Sequence, residues 1–93
     1  MKVQITPNPV RPGAAVAAEV KIEGDAAAVR SVRCQVEDQD FVEYFNRTGD
    51  GVYALRTSVP WEAPAGVYQL VVSAHQADGA VVEQARTTLT VEN

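Results

Sequence analysis

Residues 49–79 read Gly49-Asp-Gly-Val-Tyr53, then Val59-Pro-Trp-Glu-Ala-Pro-Ala-Gly-Val-Tyr-Gln-Leu-Val-Val-Ser-Ala74, then Asp78-Gly79. The order is turn, strand, loop, strand, turn. Gly and Asp accept the positive φ that tight hairpin turns require, so Gly49–Gly51 and Asp78-Gly79 mark chain reversals. Between them Tyr53, Leu55, Thr57 and Val59 recur at every second position. Pro60 and Pro64 end that run, because proline has no N–H to give to a ladder. Tyr68, Leu70, Val72 and Ala74 repeat the pattern. Two alternating runs bounded by turns specify half-buried antiparallel strands.

The same period continues outward in both directions. Val3 and Ile5 open the chain and are stopped by Pro7, Pro9, Pro12 and Gly13. Val16, Ala18, Val20 and Ile22 form an apolar face opposite Glu19, Lys21 and Glu23, and Gly24-Asp25 follows as a turn. Val32, Cys34 and Val36 alternate with Arg33, Gln35 and Glu37. Phe41–Phe45 reads as a short fourth strand, with Arg47–Asp50 as the hairpin loop after it. Ala85, Thr87, Leu89 and Val91 carry the last strand. Asp25–Val36 also fits helical spacing with Asp25 as N-cap. The strand reading is preferred there, because the neighbours are strands and Val and Cys suit a pleated surface. The expected core is Val16, Val20, Ile22, Val32, Cys34, Val36, Tyr53, Leu55, Tyr68, Leu70, Val72, Leu89 and Val91, forming one dry layer.

Seven short strands in 93 residues match a single all-β domain spanning residues 1–93, a Greek-key antiparallel sandwich of immunoglobulin type. In that fold a tyrosine at the start of the next-to-last strand turns its hydroxyl back to the preceding connection, and Tyr68 stands at that place. The series Gly49-Asp-Gly-Val-Tyr53, Pro64-Ala-Gly-Val-Tyr68-Gln-Leu70, Ala74 and Asp78-Gly79 resembles bacterial immunoglobulin-like modules of secreted or surface proteins. The resemblance runs from Val32 to Val91. It implies a spacer, presenter or binding module within a larger extracellular or cell-surface protein, with no catalytic residue among the matched positions. Its partners would be other domains of the parent chain or another protein. Thr6-Pro-Asn-Pro-Val10 also resembles the start of C-terminal sandwich domains used as secretion signals, although the basic tail of that pattern is missing.

Composition narrows the function classes. The net charge is −4, and the eight basic residues are scattered from Lys2 to Arg86. Nucleic-acid binding and anionic membranes both require a clustered basic face, so neither is expected. No apolar run approaches the ~18 residues of a membrane span, so no membrane insertion is expected. Met1-Lys2-Val3 leads directly into strand-like sequence with no secretory leader. The expectation is a module excised from a longer extracellular chain, with a cytoplasmic protein as the alternative.

Candidate chemistry is sparse, and no cofactor is expected. His75 is the sole histidine and its parity places it on the solvent side. With no nucleophile elbow and no partner set, the chain is not expected to be an enzyme. Cys34 reads as a small buried hydrophobe. Asp38, Asp40 and Glu43 cluster carboxylates around one turn and are the candidate ligands for calcium, which takes ~6–8 oxygens. Trp61, Tyr44 and Phe41 are the candidate carbohydrate-binding surface, although Trp61 is expected to cap the core. Asn46-Arg-Thr48 is a glycosylation sequon. The last strand, rich in β-formers, is the candidate edge for strand addition or dimerisation.

Overall fold

The computed structural model describes residues 1–93. Its strands are β1 (Lys2–Thr6), β2 (Ala15–Lys21), β3 (Ser31–Val36), β4 (Val42–Tyr44), β5 (Asn46–Gly49), β6 (Val52–Ser58), β7 (Gly66–His75) and β8 (Val81–Val91). They form two four-stranded sheets, ordered β1-β2-β6-β5 and β4-β3-β7-β8, and all pairings are antiparallel. The protein is an all-β sandwich. The helical alternative at Asp25 amounts to one 3₁₀ turn, Ala26–Ala28, before β3 begins at Ser31.

There are eight strands, not the seven the pattern predicts. The chain changes sheets at Phe45. This ring is buried, and its N–H donates to the Val32 carbonyl at 2.8 Å, which holds it beside β3. The chain then leaves for the other sheet and pairs with β6 as β5. Asn46–Gly49, which overlaps the Arg47–Asp50 stretch read as loop, is therefore a strand with an irregular register between Arg47 and Gly49. All four of its residues are exposed, so it carries no apolar alternation that a pattern could reveal.

The interior also departs from one dry layer. Val20, Val32 and Val72 are the largest fully buried side chains, within a cluster that includes Cys34, Phe45, Tyr53 and Leu70. A second cluster joins Val10, Val16, Val59 and Val91 at one end. Ile22, Val36, Leu55, Tyr68 and Leu89, expected in the core, are half-buried. The last four of these line a gap between the sheets. The Tyr68 hydroxyl donates to the Pro64 carbonyl at 2.6 Å, as its position in the sequence led one to expect.

Candidate functional site

The two long flanks of the sandwich are built differently. On the β1–β8 flank the sheets are tied together. The Glu83 carboxylate on β8 accepts the N–H of Gly24 and, at 3.3 Å, that of Glu23, and the Met1 ammonium lies 3.0 Å from it. Burial acts to raise the Glu83 pKa, but the hydrogen bonds from the amino terminus and these two N–H groups outweigh it, and the carboxyl sits below its ordinary range. Farther along, the Asn8 side chain donates to the Thr88 carbonyl at 2.9 Å and accepts the Thr90 N–H at 3.0 Å. Val10 donates to Thr90 and accepts from Glu92, each at 2.9 Å. The edge of β8 between Thr88 and Glu92 is thus already occupied.

The β4–β6 flank is open. A cleft of about 330 Å³ enters between the sheets there, with walls that include Val36, Phe41, Leu55, Tyr68, Leu70 and Leu89. Its only charged lining residues are Glu43 and Glu62. The Thr57 hydroxyl donates to Glu43 at 3.5 Å, a long bond from β6 to β4 across the mouth. Cys34 forms part of the wall, and burial, aided by the negative charge of Glu43, pushes its thiol up to about 11. At neutral pH it is protonated and a poor nucleophile.

The open flank also has unpaired backbone. Ile22 N–H donates to Gly51 and Val59 N–H donates to Ala14, so positions 51 and 59 face β2. Backbone groups alternate sides along an antiparallel strand, so residues 53, 55 and 57 also face β2, and residues 52, 54, 56 and 58 face the other way. Pairing with β5 covers Val52 and Ala54 and then stops. Arg56 and Ser58 present their N–H and C=O groups to a position with no strand. Nothing in the residue pattern announces this edge, because it depends on β5 beginning only at Asn46, opposite Ala54.

The candidate residues from the sequence fall in separate places. Asp38 and Asp40 are exposed in the turn after β3, where Asp38 has φ 66°, while Glu43 faces the cleft. No group of three or more His, Cys, Asp or Glu side chains converges to hold a metal ion, so the calcium set is not assembled. The three aromatics do not share a surface. Phe41 lines the cleft, and Tyr44, which alternates with the cleft-facing Glu43, points to the opposite side of β4. Trp61 is 80 % exposed instead of capping the core. Its ring lies against Gly13, where a Cβ would collide with the indole.

His75 is buried, not on the solvent surface. Parity chose the correct face of β7 but could not foresee that the turn into β8 covers it. Its Nδ1 lies 3.0 Å from the Gly79 carbonyl, which can only accept, so Nδ1 carries the proton. In the neutral ring Nε2 then accepts the Ser73 hydroxyl at 2.8 Å. A serine–histidine pair lies here without a carboxylate to orient the ring, and Ser73 is itself buried. Its evident role is to fasten the β7–β8 turn. The sequon residues Asn46, Arg47 and Thr48 are all exposed on β5.

No helix is long and apolar enough to cross a membrane. Neither a protein-family model nor a curated protein sequence matches the chain. Among solved structures, the X-ray structure of the endo-β-1,4-mannanase from Thermotoga petrophila superposes with a TM-score of 0.67 at 16% identity. The match covers 100% of this chain and 20% of the mannanase chain. At that identity the likeness concerns the fold alone, and the present chain spans about a fifth of the length of that protein.

Proposed function

We propose that the chain is a non-catalytic immunoglobulin-like module with Greek-key connections, working as an accessory part of a larger extracellular or surface protein of bacterial origin. Its task is contact with another domain or another protein. The observation that carries this reading is the recurrence of the whole fold as a fifth of a longer polypeptide, the mannanase. The strand orders β1-β2-β6-β5 and β4-β3-β7-β8, with the Tyr68 hydroxyl turned back to Pro64, support the immunoglobulin-like assignment. The apolar walls of the open flank support contact, because exposed apolar concavities mark interaction sites. The test is the size and location of the native polypeptide, read by immunoblot and mass spectrometry of secreted and cytoplasmic fractions. A secreted chain well above 10.0 kDa is expected. A free 93-residue protein in the cytoplasm overturns the reading.

A second reading has one observation in its favour. Trp61 presents its indole to solvent, braced by Gly13, in the manner of a flat sugar-stacking platform. In this reading the module holds a polysaccharide beside a larger enzyme. Trp61 emission should then shift and saturate as β-1,4-mannan is added. A spectrum unmoved by mannan, cellulose oligomers and xylan removes the glycan reading.

A further inference from the structure

The open flank joins two deficits that one occupant would correct. Arg56 and Ser58 have backbone groups facing an empty strand position, and an apolar cleft of about 330 Å³ lies directly inside that edge. Leu55 and Thr57, which alternate with them, line the cleft. We propose that this flank accepts an extended peptide segment of a partner protein. The segment adds a strand beside β6 at Arg56 and Ser58 and sends alternate apolar side chains into the cleft. It also carries a basic residue toward Glu43 and Glu62.

The chemistry selects this occupant over others. Backbone–backbone pairing at a sheet edge demands an extended chain, and pockets beneath the edge then read every second side chain. Charge complementarity supplies the sign, since Glu43 and Glu62 are the only charged groups of the lining. A second copy of the protein fits poorly. It carries a net charge of −4, and its strands have committed their inward side chains to their own sandwich. A small apolar molecule would fill the volume but leave Arg56 and Ser58 unpaired. The bond between Thr57 and Glu43 spans the mouth at 3.5 Å, a length at which little is lost when a peptide displaces it.

This inference rests on the interaction reading and specifies its site. The probe is the peptide Lys-Thr-Val-Thr-Val-Thr-Val-Thr-Lys, added to uniformly ¹⁵N-labelled protein and followed by amide spectra and hydrogen exchange. Saturable shifts in β4 and β6 are expected, with exchange at Arg56 and Ser58 slowed by about tenfold or more. Replacing both lysines by glutamate should weaken binding about two- to fivefold, a difference that vanishes at 1 M salt, where screening acts within ~3 Å. Two further peptides methylate either all threonine nitrogens or all valine nitrogens. Only one of these sets can face β6, so one methylated peptide must lose binding by about tenfold or more while the other keeps it. Equal binding of both methylated peptides, or shifts confined to other strands, overturns the proposal. So does a cleft that takes 1-octanol and none of the peptides. If no peptide binds and the native polypeptide is long and secreted, strand addition has failed while the module reading stands.

Discussion

The β1–β8 flank and the β4–β6 flank belong to the same sandwich and face the same problem. Each is a place where two sheets end and their edges meet water. On the first, polar side chains finish the backbone: Asn8 serves Thr88 and Thr90, and Glu83 serves Glu23 and Gly24. On the second, β5 begins only at Asn46 and leaves Arg56 and Ser58 of β6 uncovered, β4 is only Val42–Tyr44, and apolar walls stand open beside them. An edge closed by side chains cannot accept a strand without losing bonds it already has. An edge left bare over an apolar gap gains from accepting one. The contrast separates a closed flank from the flank proposed to bind.

The largest test of this contrast is Phe45→Ala. Phe45 is the buried residue at which the chain crosses between sheets, and truncating a buried phenylalanine costs about 3–5 kcal/mol. Urea unfolding should show an unfolding free energy lowered by that amount, or no cooperative transition. A change below about 1 kcal/mol would mean the ring is not packed as described, and the open flank would lose its hinge.

Asn8→Ala attacks the closed flank. It removes two side-chain bonds to β8 and should cost about 1–2 kcal/mol. Its more telling effect is on association, because it uncovers the β8 edge at Thr88 and Thr90. Light scattering at high concentration should show self-association in the variant beyond that of the parent. If the variant remains as monomeric as the parent, Asn8 is not what guards that edge.

The sandwich was legible in the sequence wherever one face of a strand is buried. Val16, Val20, Val32, Val72 and Val91 follow period two and are buried, and Tyr68 anchors where its place predicts. The pattern failed where structure does not depend on alternation. Asn46–Gly49 is fully exposed and carries no apolar side chain, so β5 was invisible. Val10 is buried although prolines surround it, because it docks against Val91 through a bridge with no local signature. His75 showed its face but not its cover. The cleft was illegible for a related reason. Alternation tells which side chains point inward, and the distance between the sheets tells whether they meet. Leu55, Leu89 and Val36 point inward and still reach a gap.

A smaller effect comes from Glu83. Its folded pKa lies below the ordinary carboxylate value, so the folded state binds the proton less readily than the unfolded chain does. Its contribution is present above the unfolded value of ~4.3 and is lost as pH falls through the lower folded value. Thermal midpoints should therefore decline below about pH 4 more steeply in the parent than in Glu83→Gln. Parallel curves for the two proteins would show that the β1–β8 tie does not titrate.

The smallest change in stability is expected from Ala18→Ile, and its sign carries the information. Ala18 is half-buried on β2, pairs with Leu55 and lines the cleft. A larger apolar side chain there would extend into the gap, and filling a cavity commonly adds about 0.5–2 kcal/mol. If the cleft were only a packing defect, the variant would be more stable and otherwise unchanged. If it is the receiving groove for an extended segment, the same isoleucine occupies the space that the segment's apolar side chains need. Stability then rises while affinity for the alternating peptide falls. A variant that gains stability and binds the peptide undiminished would place any binding elsewhere on the molecule. A variant that loses stability would show that the sheets already meet in solution, and the difference between the two flanks would disappear.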